Sequence, residues 1–123
     1  MRSSRKPRSS TPRSRRLGPE AERRVRRHFR LRGYLILDTN AWVGGYELDL
    51  VVRRGRTVVV CEVKARSGPE YGDPLEAVGP EKARRVRQAA EAWLAGRPEL
   101  AGLDVRLEAV GVHGRRIRRA PFD

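Results

Sequence analysis

Four charged residues lie beside apolar runs that read as buried strands, where ionised side chains are rare. Glu62 and Lys64 follow the apolar run TVVVC, and Glu47 and Asp49 lie in the preceding run ELDLVV. Within each pair the residues are two apart, so both side chains of a pair lie on one face of their strand. Carboxylates and an amine gathered in this way could hold a divalent cation and activate a water molecule.

The turn between the two runs sets the register that would bring these side chains together. Gly55 and Arg56 fit the two central positions of a tight hairpin, since glycine suits the first central position of a type II′ turn. Continuing this register outward pairs the four charged residues as Asp49 with Glu62 and Glu47 with Lys64. We expect all four side chains to project from one face, with opposed Cβ atoms roughly 4.5–5.5 Å apart.

Two interpretations of this arrangement remain open from the residues alone. Two opposed carboxylates repel each other, and Mg²⁺, which prefers oxygen ligands at about 2.1 Å, would resolve the conflict between Asp49 and Glu62. Alternatively, the residues form a cross-strand salt-bridge ladder on a solvated face, which suits Glu47 opposite Lys64 but not two opposed acids. Glu22 borders the buried stripe of the first helix and is either a further ligand or a partner of the helix dipole.

The elements that would position these residues alternate between helical and strand patterns. Gly18-Pro19 with early acids indicates a helix start, and Gly33 indicates its end. The predicted elements are a helix at 19–32, strands at 34–38, 47–53, 57–65 and 105–112, loops at 39–45 and 67–79, a helix from Pro80 to Gly96, and a short terminal strand near Ile117. The αβββαβ order predicts an α/β fold, a mixed central sheet flanked by helices.

Composition adds a basic character and excludes several classes of protein. Lys and Arg number 28 against 15 Asp and Glu, a net charge of +13. Residues 1–17 read as a disordered basic arm and 115–123 as a basic tail around a domain at 18–114, and such peripheral charge suits nucleic acid. No run is long enough to span a membrane and no secretory signal is evident, so we expect a cytoplasmic protein. The lone Cys61 excludes an internal disulfide and a thiolate zinc cluster.

The ordered residues resemble the D…ExK core of the PD-(D/E)XK nuclease superfamily. More closely, the chain resembles the YraN-like family of small predicted endonucleases over roughly residues 18–112. Tyr46 and Ala21 depart from the family, which usually has glycine at both places, and Tyr46 could narrow the approach to the site. The positions that match the family pattern are Glu22, Gly33-Tyr34, Asn40, Glu47-Leu48-Asp49-Leu50, Glu62-Val63-Lys64-Ala65-Arg66, Gly72, Pro74 and Lys82.

The resemblance implies a single restriction-endonuclease-like domain and a set of residue roles. Asp49, Glu62 and the backbone carbonyl of Val63 would bind Mg²⁺ or Mn²⁺, and Lys64 would orient or deprotonate the attacking water. Glu22, as in the similar archaeal Holliday junction resolvases, would complete the metal site. Glu47 would be an outer partner of Lys64 or a spare ligand.

Basic residues beyond this core could contact phosphates, which would position nucleic acid without reading its sequence. The candidates are Arg66, Lys82 and Arg85. The sequence thus favours a metal-dependent endonuclease that cleaves branched or damaged DNA in repair or recombination, with a homodimer as one way to cut two strands. The alternative is a noncatalytic nucleic-acid-binding protein, RNA- or ribosome-associated, that keeps the nuclease scaffold.

Overall fold

Proline and glycine set the bounds of both helices. The computed structural model describes residues 18–66 and 78–122, so the predicted arm at 1–17 and most of the predicted loop at 67–79 lie outside the described residues. Pro19 and Pro80 begin the two helices, and Gly33, with φ +89°, follows the first. The elements are α1 (Pro19–Leu31), β1 (Leu35–Val43), β2 (Tyr46–Arg54), β3 (Thr57–Arg66), α2 (Pro80–Ala95), a 3₁₀ turn (Pro98–Leu100), β4 (Asp104–His113) and β5 (Arg116–Pro121).

The five strands form one mixed sheet in the order β1-β2-β3-β4-β5. The pairs β1–β2, β2–β3 and β4–β5 are antiparallel, whereas β3 and β4 are parallel and are connected through α2. The prediction of an α/β fold with a mixed central sheet is confirmed. The expected short strand at Ile117 is also confirmed, because β5 pairs with β4 and extends the sheet into the 115–123 segment.

The two helices cover opposite faces of the sheet. Val25 and Phe29 of α1 pack with Leu50 and Cys61 on one face, which we call the α1 face. Side chains of α2, Trp93 among them, pack on the other face, the α2 face, in a second cluster. Burial on both faces makes β3 the central strand, as the sequence predicted. No helix in the described residues is long and apolar enough to cross a bilayer.

The predicted loop at 39–45 is wrong. β1 continues to Val43 and pairs with β2 through that point. Gly44 and Gly45 form the turn with φ angles of +62° and +76°, the positive values that a two-residue hairpin turn requires at both central positions. The composition resembled a loop because Asn40 and two glycines lie close together, yet only the glycines leave the strand.

Candidate functional site

The β2–β3 hairpin has the predicted register over its inner half. Gly55 occupies the turn with φ +62°, and the ladder runs from Arg54 opposite Thr57 to Leu50 opposite Cys61. The ladder ends there, so the predicted direct opposition of Asp49 and Glu62 is wrong. Past Leu50 the two strands no longer exchange ladder bonds.

The Asp49 side chain explains where the ladder stops. Its Oδ2 accepts a hydrogen bond of 2.7 Å from the backbone N–H of Val63, so a carboxylate takes the place of a backbone carbonyl of β2. A backbone amide bound to a carboxylate is a short, charge-assisted contact, stronger than the usual ladder bond. Asp49 is thereby fixed against the backbone of the residue that joins Glu62 to Lys64.

Side-chain alternation shifts at the same place and separates Glu47 from Glu62 and Lys64. Leu50 packs on the α1 face, yet Leu48, two residues earlier, packs on the α2 face. The neighbouring position on β1 is Asn40, whose φ of +50° marks a local distortion between the flanking pairs. Since Tyr46 also packs on the α2 face, alternation places Glu47 on the α1 face. The prediction that all four charged side chains share one face is therefore wrong for Glu47.

Glu62 is the centre of the charged site on the α2 face. Its side chain is 1% exposed, and its Oε2 lies 3.2 Å from Lys82 Nζ and 3.8 Å from Lys64 Nζ. The hydroxyl of Tyr46 donates to Oε1 at 3.3 Å. A carboxylate so deeply buried is stable as an anion only when cations and donors surround it, and removing one partner of such a pair typically costs ~3–5 kcal/mol.

Glu22 lies on α1, not on the two strands that carry the other acids. It is half-buried on α1, the helix that covers the face opposite Lys82, and it belongs to the first turn with Glu20. Across residues 18–66 and 78–122, no three acidic, histidine or cysteine side chains are close enough together to form a ready-made metal centre. The Asp49 carboxylate thus lies on the backbone N–H of Val63, the residue that follows Glu62. Within the described residues, no third acidic side chain joins these two in a cluster.

The three predicted phosphate-contacting residues lie at different places in the chain. Lys82 lies in the first turn of α2 and is engaged with Glu62 rather than exposed on the outer helix face. Arg85 is exposed and pairs through Nε with Glu81 at 3.4 Å. Arg66 is the last residue of β3, three positions beyond Val63 and thus at the same end of the strand as the acids.

Two contacts at Glu62 were missed from the sequence. Tyr46 was expected to narrow the approach, and its bond to Glu62 follows the turn at Gly44 and Gly45, which was predicted to be part of a loop. The sequence did contain an indication of the Lys82 contact. A cation in the first turn of a helix is unfavourable near the positive end of the helix dipole, so a lysine at this position needs an anionic partner.

A second polar cluster lies on the α1 face. Arg119 donates to both oxygens of Glu108, at 2.8 and 3.2 Å, and its guanidinium stacks over Phe29 at 4.6 Å.

Burial raises the pKa of the Cys61 thiol, which makes it a poor nucleophile. Burial, then the charges of Arg32 and Arg119, lower the pKa of His28 to about 4.

Comparison with known proteins places the chain in a family. A model of the uncharacterised protein family UPF0102 matches residues 21–112. The chain belongs to the UPF0102 family. A UPF0102 protein of Acidothermus cellulolyticus is 49% identical over 78 residues, 63% of this chain and 59% of that relative, so the match spans less than two thirds of the relative's length. UPF0102 proteins of Frankia casuarinae (46% over 87 residues, 71% of this chain and 74% of the relative) and of a Parafrankia species (40% over 103 residues, 84% and 86%) are also similar.

The donor set of this UPF0102 protein suits a hard divalent cation. Asp49 and Glu62 offer carboxylate oxygens, the ligand type that Mg²⁺ prefers, and they flank the backbone of Val63, whose carbonyl is a third oxygen. The buried negative charge of Glu62 is balanced by ammonium groups in the structure. By ligand type, the oxygens of Asp49, Glu62 and Val63 fit a hard divalent cation.

Proposed function

We propose that this UPF0102 protein is a metal-dependent endonuclease that hydrolyses DNA phosphodiester bonds. The observation that carries the proposal is the arrangement on β3, where Glu62 is 1% exposed beside Lys64 and Asp49 holds the peptide between them. A buried acid next to a lysine is expensive to maintain for stability alone, since well-packed apolar residues are often as stable. Such groups are typical of functional sites.

The wider architecture supports a restriction-endonuclease-like interpretation of this site. The D…ExK residues fall on adjacent strands β2 and β3 of a mixed sheet, at the end where those strands separate. A substrate would approach Asp49, Glu62 and Lys64 from that end of the sheet. The net charge of +13 favours a polyanionic substrate.

Each residue of the proposed site has a chemical role in phosphodiester hydrolysis. Asp49 and Glu62, with the Val63 carbonyl, would hold Mg²⁺ or Mn²⁺, and Glu22 of α1 would complete the metal site. A bound ion would supply the Lewis acidity that acidifies water and offsets phosphate charge. Lys64, 17% exposed and 3.8 Å from Glu62, would orient the attacking water or take its proton.

The substrate class follows from the type of contact that the surface offers. Arginines on the outer faces of the helices suit phosphate oxygens, which fix orientation and carry no sequence information. We therefore propose selectivity for DNA structure, such as branched or damaged DNA in repair or recombination, over selectivity for base sequence. Arg85, exposed on α2, would be one such phosphate contact.

A noncatalytic nucleic-acid-binding role is the second candidate, and one observation favours it. Both carboxylate oxygens of Glu62 already have partners within the protein, namely Lys64, Lys82 and Tyr46. A scaffold that had exchanged its metal for internal cations would look similar. RNA or a ribosomal particle would then be the partner.

A cleavage panel separates the two candidates. Purified protein is incubated with four-way junction, flap, duplex and single-stranded DNA and with RNA, each with Mn²⁺ or with EDTA. The endonuclease predicts Mn²⁺-dependent nicking of at least one DNA, strongest on a branched substrate. Binding without cleavage on every substrate would support the second candidate.

A further inference from the structure

Lys82 is bound to the buried acid from the opposite direction to Lys64. It comes from the first turn of α2, whereas Lys64 comes from β3 itself. The Lys82 ammonium is nearer to Glu62, at 3.2 Å against 3.8 Å, and both contacts are made to the same oxygen, Oε2. Of the two lysines, Lys82 is therefore the nearer counter-charge of Glu62.

The position of Lys82 is unfavourable without that acid. A cation in the first helical turn opposes the positive end of the helix dipole, and Glu81 in the same turn is engaged by Arg84 and Arg85. Glu62 is what makes the position favourable. The side chain of Lys82 is 26% exposed, against 17% for Lys64, so Lys82 is the lysine with more access to water.

A divalent ion bound to Oε2 of Glu62 would compete with the Lys82 ammonium for that oxygen. Oε1 of Glu62 accepts the Tyr46 hydroxyl, and Oε2 faces the two lysines. Two cations within about 4 Å of each other repel, so an ion that binds Oε2 must push the more exposed ammonium away.

We propose that Lys82 is an internal counter-cation that occupies Glu62 until a divalent metal displaces it, and that the released ammonium then contacts a phosphate of the substrate. This inference rests on the proposed endonuclease function and adds a competition between lysine and metal to it. Lys82 is in this sense a positioning residue that sets the metal affinity of the site and limits occupancy in the absence of substrate.

Titration calorimetry with MnCl₂ alone tests the competition without an activity assay. Lys82→Gln removes the competing charge and is expected to bind Mn²⁺ about tenfold more tightly than the wild type, as expected for loss of a nearby like charge. Lys82→Arg keeps the charge and is expected to stay within about twofold of wild type. Arg85→Gln is the control for the metal-binding and unfolding measurements alone, since it removes one positive charge from the same helix at a residue bound to Glu81 and is itself a proposed DNA contact.

Thermal unfolding provides a second readout that also checks folding of the variants. In EDTA, Lys82→Gln is expected to melt below wild type because Glu62 loses its nearer cation, and saturating Mn²⁺ should raise its melting temperature more than that of wild type or Arg85→Gln. A DNA-binding measurement in Ca²⁺ completes the test, with Lys82→Gln expected to bind junction DNA more weakly.

The outcomes distinguish this inference from the function on which it rests. Suppose wild type binds Mn²⁺ and cleaves DNA, but Lys82→Gln binds Mn²⁺ no more tightly than Arg85→Gln does. The proposed competition between Lys82 and the metal is then wrong, whereas the proposed endonuclease function still stands. If neither wild type nor Lys82→Gln binds Mn²⁺, the proposed function fails and the competition fails with it. Binding of Mn²⁺ by Lys82→Gln alone would show that the lysine blocks the site.

Discussion

The side chain of Asp49 occupies a position that a backbone carbonyl would fill in a regular sheet. Its bond of 2.7 Å to the Val63 amide combines two tasks, because it closes the end of the β2–β3 ladder and keeps a carboxylate beside Glu62. These tasks can be separated by substitution, since an amide oxygen can accept the same hydrogen bond without carrying the charge.

Asp49 variants are expected to separate stability from chemistry. Asp49→Ala leaves the Val63 amide without its acceptor and should lower the free energy of unfolding by ~1–3 kcal/mol. Asp49→Asn keeps an acceptor and should lose less, yet both variants should lose Mn²⁺ binding and cleavage. Urea denaturation followed by circular dichroism, with calorimetry on the same samples, measures both effects. Equal destabilisation by the two substitutions would contradict this role of the hydrogen bond.

The charge state of His28 links folding to pH. Its Nε2 is buried and has no hydrogen-bond partner in the described part of the chain, and its pKa is lowered from 6.5 to about 4, first by burial and then by Arg32 and Arg119. Between those pH values the unfolded chain takes up a proton that the folded chain does not. The free energy of unfolding should therefore fall as the pH decreases from about 6.5 to about 4.

A variant isolates this contribution from that of the carboxylates. His28→Leu removes the titrating group, so its stability relative to wild type should rise as the pH falls through this window. His113→Gln is the control, since His113 is the other of the two histidines. Urea midpoints measured at intervals from pH 7.5 to pH 4 give the comparison, and a constant difference between His28→Leu and wild type would contradict the assignment.

At the scale of elements, the sequence predicted what local chemistry determines. Prolines and glycines gave the helix bounds, Gly55 gave the hairpin register, and apolar residues on both faces identified β3 as central. It could not predict the end of the ladder at Asp49, because that depends on a side chain replacing a backbone group. Nor could it predict the Lys82–Glu62 contact, which joins residues 20 positions apart in the chain through the packing of α2 on the sheet.

The β1–β2 turn offers a test of the corrected strand bounds. Gly44 and Gly45 both have positive φ angles, so alanine at either should cost ~1–2 kcal/mol of stability. An added Cβ at Gly44 would meet Ala89 and Ala92 of α2 at 3.5 Å, which is ordinary contact, so the two substitutions should cost similar amounts. Gly96→Ala, at a φ of −87°, should be nearly neutral and serves as the control. Urea denaturation measures all three, and no loss at Gly44 and Gly45 would contradict this turn.

At the scale of the whole molecule, a net charge of +13 accompanies a site built on the buried Glu62 and the half-buried Asp49. These two acids lie where the β2–β3 ladder ends, while arginines such as Arg85 lie on the surface. The surface charge would bring a polyanion to the protein, and the site would then act on the phosphate that reaches it. Binding and cleavage should accordingly respond differently to salt and to substitution.

The affinity for junction DNA should fall steeply with salt because bound phosphates release counterions. Fluorescence anisotropy in Ca²⁺ between 50 and 200 mM KCl should show a linear decrease of log affinity with log salt concentration for wild type. Arg85→Gln, which removes one proposed phosphate contact, should reduce the slope by about one. A flat dependence for wild type would contradict nucleic-acid binding through phosphates.

The most direct test of the central claim compares Lys64→Ala with wild type in a supercoiled-plasmid and junction nicking assay alongside Mn²⁺ calorimetry. Wild type should nick DNA only with the metal present. Lys64→Ala should still bind Mn²⁺, since Asp49 and Glu62 remain, but should lose at least about 100-fold of the nicking rate, the range expected for a residue that handles a proton or water in the transition state. Undiminished nicking by Lys64→Ala, or no nicking by wild type on any substrate, would contradict the assignment of this site.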